Sequence, residues 1–158
     1  MELAMRWRFL LTGLLMAGSL GALAGAEGKV DAAELKKFQG SWVMVSAEMD
    51  GKKVADAHVK QSKITFAKDK VELIAPHQSK DKILATITQL DPSTKPARML
   101  WVRSAGPHAG PTMKAIYEFE NADQYKICFD PASTTVPTKF ATKAGSGHIW
   151  HTWKRVKK

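Results

Sequence analysis

One cysteine, Cys128, stands in the whole chain of 158 residues. An intrachain disulfide is therefore excluded, and the fold must be stable by packing alone. Long helical patterns are missing as well. No stretch of roughly 10–15 residues with helical spacing separates any two of the short apolar runs, which argues against a parallel sheet built on crossover helices. There is no internal repeat and no low-complexity segment. Acidic residues are in deficit: 15 Asp and Glu face 24 Lys and Arg, a net charge of +9. The one long apolar run extends from Phe9 to Ala26.

That run reads as the core of a secretory leader. Arg6 and Arg8 supply the basic flank, and Ala24-Gly25-Ala26 fits the small-x-small cleavage pattern. Residues 1–26 are thus expected to be a signal peptide, with a mature domain over 27–158. The run is short and rich in Gly and Ala for a membrane span, so no stable anchor is expected after cleavage. No cysteine lies at the end of the run to carry a lipid, and Arg6-Trp7-Arg8 is not a twin-arginine pair, which favours the general secretory route. An exported, periplasmic or secreted protein follows. Loss of Arg6, Arg8 and Glu2 leaves the mature part at +8. In that compartment nucleic acid is not an expected partner. The lysines are spread along the chain, which reads as solubility; an anionic envelope component is the partner this charge would suit.

The mature part starts with a short helix. In "VDAAELKKFQ" (30–39), Asp31 is a good N-cap and Glu34 sits where a capping box needs it. Val30 and Leu35 occupy staple positions, Leu35 and Phe38 share a face, and Gly40 ends the helix. From there the period becomes two. Strands are expected over 41–49, 63–68, 70–75, 82–90, 97–104, 113–120, 124–130 and 148–156, with 138–142 as an optional ninth. Turn residues fill the gaps: "DGKK", Asp69, "DPSTKP", "AGPHAGPT" and "NAD". Ile64 and Phe66, Val71 and Leu73, Tyr117 and Phe119, and Tyr125 and Ile127 each alternate with charged neighbours, so one face of each strand is buried. The expected fold is all-β: a single up-and-down antiparallel β-barrel of about eight strands with a short N-terminal helix. A monomer is expected.

"FQGSW" places Gly40-x-Trp42 directly after the helix and at the start of the meander. This resembles the Gly-x-Trp opening of lipocalins. The resemblance implies that Trp42 packs at the closed end of the barrel beneath a basic residue of the last strand, here Arg155 or Lys154. Gly40, Trp42 and Arg155 are therefore expected to be structural. Nearly the whole mature chain is also similar to a planctomycete family of small exported domains. Its members read L-Q-G-x-W near the start, G-x-Y-E-L and L-x-I-C in the middle, and F-x-S-x-x-G-S-G-H near the end. Here Phe38 replaces the Leu, Ala115 the Gly and Thr142 the Ser. That resemblance implies a lipocalin-like barrel and transfers no catalytic role.

The chemistry of the chain is sparse. "SGHIWHTWKR" holds His148 and His151, and Trp150 and Trp153, each pair three apart. On a helix such histidines would share a face, as metal ligands do; on a strand they point opposite ways. The aromatic, β-branched composition reads as the closing strand, so no metal is expected. Trp153 and Ile149 then face the core, and Trp150 lies outside or under the 131–147 loop. "AGSGH" is not a nucleophile elbow. Cys128 has no identifiable activating partner, and His58, His77 and His108 fall in different loops. No enzyme and no cofactor are expected. The function expected is a non-enzymatic barrel that binds a small apolar or amphipathic ligand; the alternative is a surface-acting interaction or inhibitor module. If a ligand site exists, its expected lining is Met44 and Ser46 on the face of Trp42, Tyr117 and Tyr125 as polar handles, and Trp101 if that residue rather than Leu100 points inward.

Overall fold

The computed structural model describes residues 28–157. The leader expected over 1–26 lies outside the described residues. Helix α1 (Ala32–Phe38) leads into β1 (Gly40–Met49), followed by β2 (Lys52–Lys53), α2 (Asp56–Gln61), β3 (Lys63–Ala67), β4 (Lys70–Ile74), β5 (Ile83–Asp91), β6 (Ala97–Ala105), β7 (Thr112–Asn121), β8 (Gln124–Phe129) and β9 (Ile149–Arg155). From β3 to β9 each strand pairs antiparallel with the next, β1 pairs with β3, and β9 returns to β1. Eight strands thus close an up-and-down barrel, as expected, and β2 only extends the end of β1. Closure leaves no full-length edge unpaired.

Alternation builds the interior. Ile64 and Phe66 on β3, Val71 and Leu73 on β4, and Met99 and Trp101 on β6 are buried, while Lys63, Lys70 and Arg98 between or beside them are exposed. Met99, Met113, Phe129 and Trp153 expose none of their surface. The middle of the barrel is therefore filled with side chains rather than hollow.

The two ends differ. At the end where β1 starts, α1 lies across the opening. The Asp31 carboxylate accepts from the Glu34 N–H at 2.8 Å, the expected cap. The Glu34 side chain does not complete the box; it is buried and pairs with Lys37 at 2.6 Å. Phe38 plugs the floor, its ring centroid 5.2 Å from Phe66, 5.1 Å from Tyr117 and 5.2 Å from Tyr125. Trp42 is fully buried beside it and donates from Nε1 to the Phe38 carbonyl at 2.7 Å. Arg155 covers the indole, its guanidinium carbon 4.1 Å from the ring centroid, and donates to the carbonyls of Gln39 and Lys37, both at 2.7 Å. Gly40 has φ +101°, and a β-carbon there would point at the Arg155 guanidinium. Glycine is the residue that makes this turn from helix to strand without strain. The opposite end, the mouth, is formed by residues 50–62, 75–82, 106–111 and 130–148.

Four details depart from expectation. Ser46 does not share the face of Trp42. A bulge between Met44 and Ser46 inserts an extra residue against β9, so Met44 and Ala47 turn inward while Val45 and Ser46 are both exposed. Residues 138–142 form no strand, because β8 already pairs with β7 on one side and β9 on the other. Instead this segment crosses the outside of β8: the Phe140 ring lies 4.6 Å from Lys126 Nζ, and the Cys128 thiol, fully buried, points at the Ala141 carbonyl. Helix α2 and strand β2 occupy residues where a turn alone was expected. Val30 forms a parallel bridge to Leu90 of β5, a pairing not expected from the sequence.

Candidate binding site at the barrel mouth

Strand parity puts Arg103 and His151 inside. Arg103 follows Met99 and Trp101 on β6, and His151 lies between Ile149 and Trp153 on β9, so all point inward. Arg103 is 2% exposed and His151 1%. The 75–82 loop brings two more polar groups against them. His77 Nε2 lies 3.0 Å from His151 Nε2, Gln78 Nε2 lies 3.5 Å from the same atom, and Arg103 donates to Gln78 Oε1 at 2.7 Å. The second arm of the Arg103 fork donates to the Pro107 carbonyl at 2.8 Å.

This network fixes its own proton positions. Arg103 can only donate, so Gln78 presents its oxygen to Arg103 and its NH2 to His151. His151 Nε2 must then be the acceptor, and the His77 Nε2–H donates to it. Both rings are neutral. Burial, reinforced by His58, lowers the pKa of His77 to about 4. Burial, then His77 and Arg103, holds His151 well below the ordinary histidine value. Burial also lowers Arg103 to about 10, which still leaves it charged at neutral pH. Among the described residues His77 Nδ1 is buried without a partner, as are the indole N–H groups of Trp101 and Trp153. An aromatic chain backs the network: Trp101 stands edge-on to Phe129 at 5.5 Å, Phe129 to His151 at 5.4 Å, and His151 to Trp153 at 5.5 Å.

His77 also faces outward. It lines a pocket of about 450 Å3 with Met49, Lys52, Lys53, Val54 and His58. Asp50 is the one acidic residue in that wall, and its carboxylate accepts from the Gly147 N–H at 3.2 Å. Beside the mouth, Asp130 anchors the start of the long 130–148 segment. Burial pushes its carboxyl up, but hydrogen bonds from Thr134, Thr135 and the Ala132 N–H outweigh that and hold it below the usual range.

The expected lining residues do not form one site. Met44 and Trp101 do point inward, and Trp101 belongs to the aromatic chain behind the mouth. Ser46 is outside. Tyr117 and Tyr125 lie at the floor with Phe38, far along the barrel from Arg103. Tyr125 is completely buried and its hydroxyl has no hydrogen-bond partner among the described residues, whereas the Tyr117 hydroxyl faces the Glu34 carboxylate. Burial raises both phenols far above their ordinary value, with the charge of Glu34 adding to the effect at Tyr117. His151 and Arg103 were not foreseen as site residues. Their parity signal was present, two residues from Trp153 and two from Trp101.

Among the described residues no three His, Cys, Asp or Glu side chains cluster so as to hold a metal, and no helix is long and apolar enough to cross a membrane. The chain matches no family model, no curated protein and no solved structure.

Proposed function

We propose that this is an exported, non-enzymatic binding barrel that holds a small amphipathic molecule at its mouth. The buried His77–His151–Gln78–Arg103 network carries this reading. Burying a charged side chain is costly unless it is paired, and Arg103 is buried with no carboxylate of the described residues beside it, which favours a role beyond closing the barrel. The adjoining pocket is within the range of small-molecule sites. The Gly40-x-Trp42 opening with Arg155 over the indole supports kinship with lipocalin-like barrels and, through them, with ligand carriage. The leader-like run at Phe9 to Ala26 supports export.

Native mass spectrometry of protein isolated from its own host tests the reading. A stoichiometric co-purifying small molecule, and a mature N-terminus within two or three residues of Glu27, are expected. No adduct, together with no saturable change in tryptophan fluorescence across a panel of amphiphiles, would sink it. What would then remain is the surface-acting module for an anionic envelope polymer, which the net charge of the chain supports.

A further inference from the structure

The two buried or half-buried arginines of the barrel are treated very differently. Arg155 at the floor is paired with the Asp123 carboxylate at 3.3 Å and bonded to backbone carbonyls. Arg103 is more deeply buried, yet no carboxylate of the described residues lies within 4.0 Å of it. Its partners are two neutral oxygens, Pro107 O and Gln78 Oε1. The nearby imidazoles carry no negative charge in either protonation state and do not balance the charge of Arg103. A buried cation without a counter-ion is costly, and none of the described residues supplies the anion that would offset it. The surroundings favour a negative guest. Lys52, Lys53, His58 and His77 line the adjoining pocket against one carboxylate, Asp50, and among the described residues neither lysine has an ion pair; Arg103 is not in that wall and is joined to it through Gln78, His151 and His77.

We propose that the mouth of the barrel takes a carboxylate: the head group enters between Lys52, Lys53 and His77 and is held by the Arg103 guanidinium, while an apolar tail lies against the mouth residues Met49 and Val54. A planar guanidinium fork matches a carboxylate with two parallel N–H···O bonds. This inference rests on the reading of the protein as a small-molecule binder and specifies the charge of the guest. The facing imidazoles are a poor cation site, since Arg103 repels a second positive charge.

The test is a matched ten-carbon series titrated against the intact mature protein by calorimetry and tryptophan fluorescence: decanoate, decanol, decyl phosphate and decyltrimethylammonium. Decanoate is expected to bind saturably, at least about ten-fold tighter than decanol, which is about 1.4 kcal/mol, with no binding of the cation. Arg103→Met is expected to abolish that preference. If the variant does not fold, the carbon-13 shift of [1-13C]decanoate bound to wild type serves instead: its titration should move below that of free decanoate. Equal binding of decanol and decanoate would overturn the carboxylate and leave the binding barrel standing. Tighter binding of decyl phosphate would replace carboxylate by phosphate as the head group. Zinc binding that displaces decanoate would also overturn the proposal. No binding by any member would remove the binding reading itself.

Discussion

The guanidinium of Arg155 lies 4.1 Å above the ring of Trp42, on the residue paired with it across the β1–β9 seam. That single contact ties the first strand to the last and both to α1, since the same guanidinium also binds the carbonyls of Lys37 and Gln39 at the helix C-terminus. The β1–β9 ladder closes the barrel, and at its floor end one side chain stacks, donates and pairs at once.

Removing the indole should therefore be expensive. Trp42→Ala is expected to cost roughly 3–5 kcal/mol, as large-to-small core changes do. Arg155→Lys is not a mild change, because an ammonium cannot span the carbonyls of Lys37, Gln39 and Ala122 together. A loss of about 1–3 kcal/mol is expected for it. Urea titration reads both. A Trp42→Ala midpoint close to that of wild type would show that the floor does not depend on this contact.

The thiol of Cys128 should be silent. Burial pushes its pKa up to about 11, and the Ala141 segment covers it. Little thiolate exists at neutral pH, so labelling must wait for the 130–148 segment to lift or for the barrel to unfold. Native protein should react with a thiol reagent far more slowly than protein in denaturant. Rapid labelling of native protein would mean that this segment does not stay against β8.

Much of this architecture was legible in the chain. The period-two runs gave the strands, their turns gave the order, and Gly40-x-Trp42 located the floor and its cover. What was not legible has physical causes. The bulge that turns Ser46 outward carries no glycine to announce it; it is imposed by the register against β9, which only closure defines. Helix α2 is six residues long, buries only Val59, and has at its N-cap Ala55, which offers no side-chain bond. The candidate site was missed for a different reason. His77 and His151 are separated by 74 positions, and nothing local links a loop histidine to a strand histidine. The parity of Arg103 with Met99 and Trp101 was visible, but an arginine on an apolar face becomes informative only once the fold shows that none of the described carboxylates pairs with it.

The imidazole pair predicts a pH dependence whose sign can be worked out. His77 has a pKa of 6.5 when unperturbed and about 4 when folded, and His151 is shifted the same way. Between these values the unfolded chain binds more protons than the folded one, so stability is full above pH 6.5 and falls as the pH drops toward 4. The pair titrates as a unit. Full conversion of the His77 shift would overstate the effect, since this ring is partly exposed; a loss on the order of 1–2 kcal/mol is expected. The window from pH 6.5 to 5 is the informative one, because buried carboxylates such as Asp130 contribute lower down. Melting temperature should fall across it in wild type and stay flatter in a His77→Gln, His151→Gln double variant. Equal slopes in the two proteins would mean that the imidazoles are not held neutral by the fold.

The floor tyrosine separates two roles that the chain left open. Tyr125 is wholly buried among Phe38, Trp42 and Phe66, and its hydroxyl has no partner among the described residues. A buried hydroxyl without a hydrogen bond costs about 1–3 kcal/mol relative to an apolar group of the same shape. If the floor is solid core, Tyr125→Phe removes that cost and leaves packing unchanged, and the variant should be more stable than wild type by about 1 kcal/mol, with decanoate binding at the mouth unaltered. If the hydroxyl is instead the handle of a ligand lodged deep in the barrel, the same substitution should weaken binding and gain nothing in the ligand-free protein. The complete burial of Phe129, Met99 and Trp153 between floor and mouth favours the first outcome, because a ligand reaching Tyr125 would have to displace them. Thermal melts of ligand-free wild type and Tyr125→Phe, paired with decanoate titrations of each, decide between the two. A lower melting temperature in the variant, or loss of decanoate binding, would overturn the solid floor.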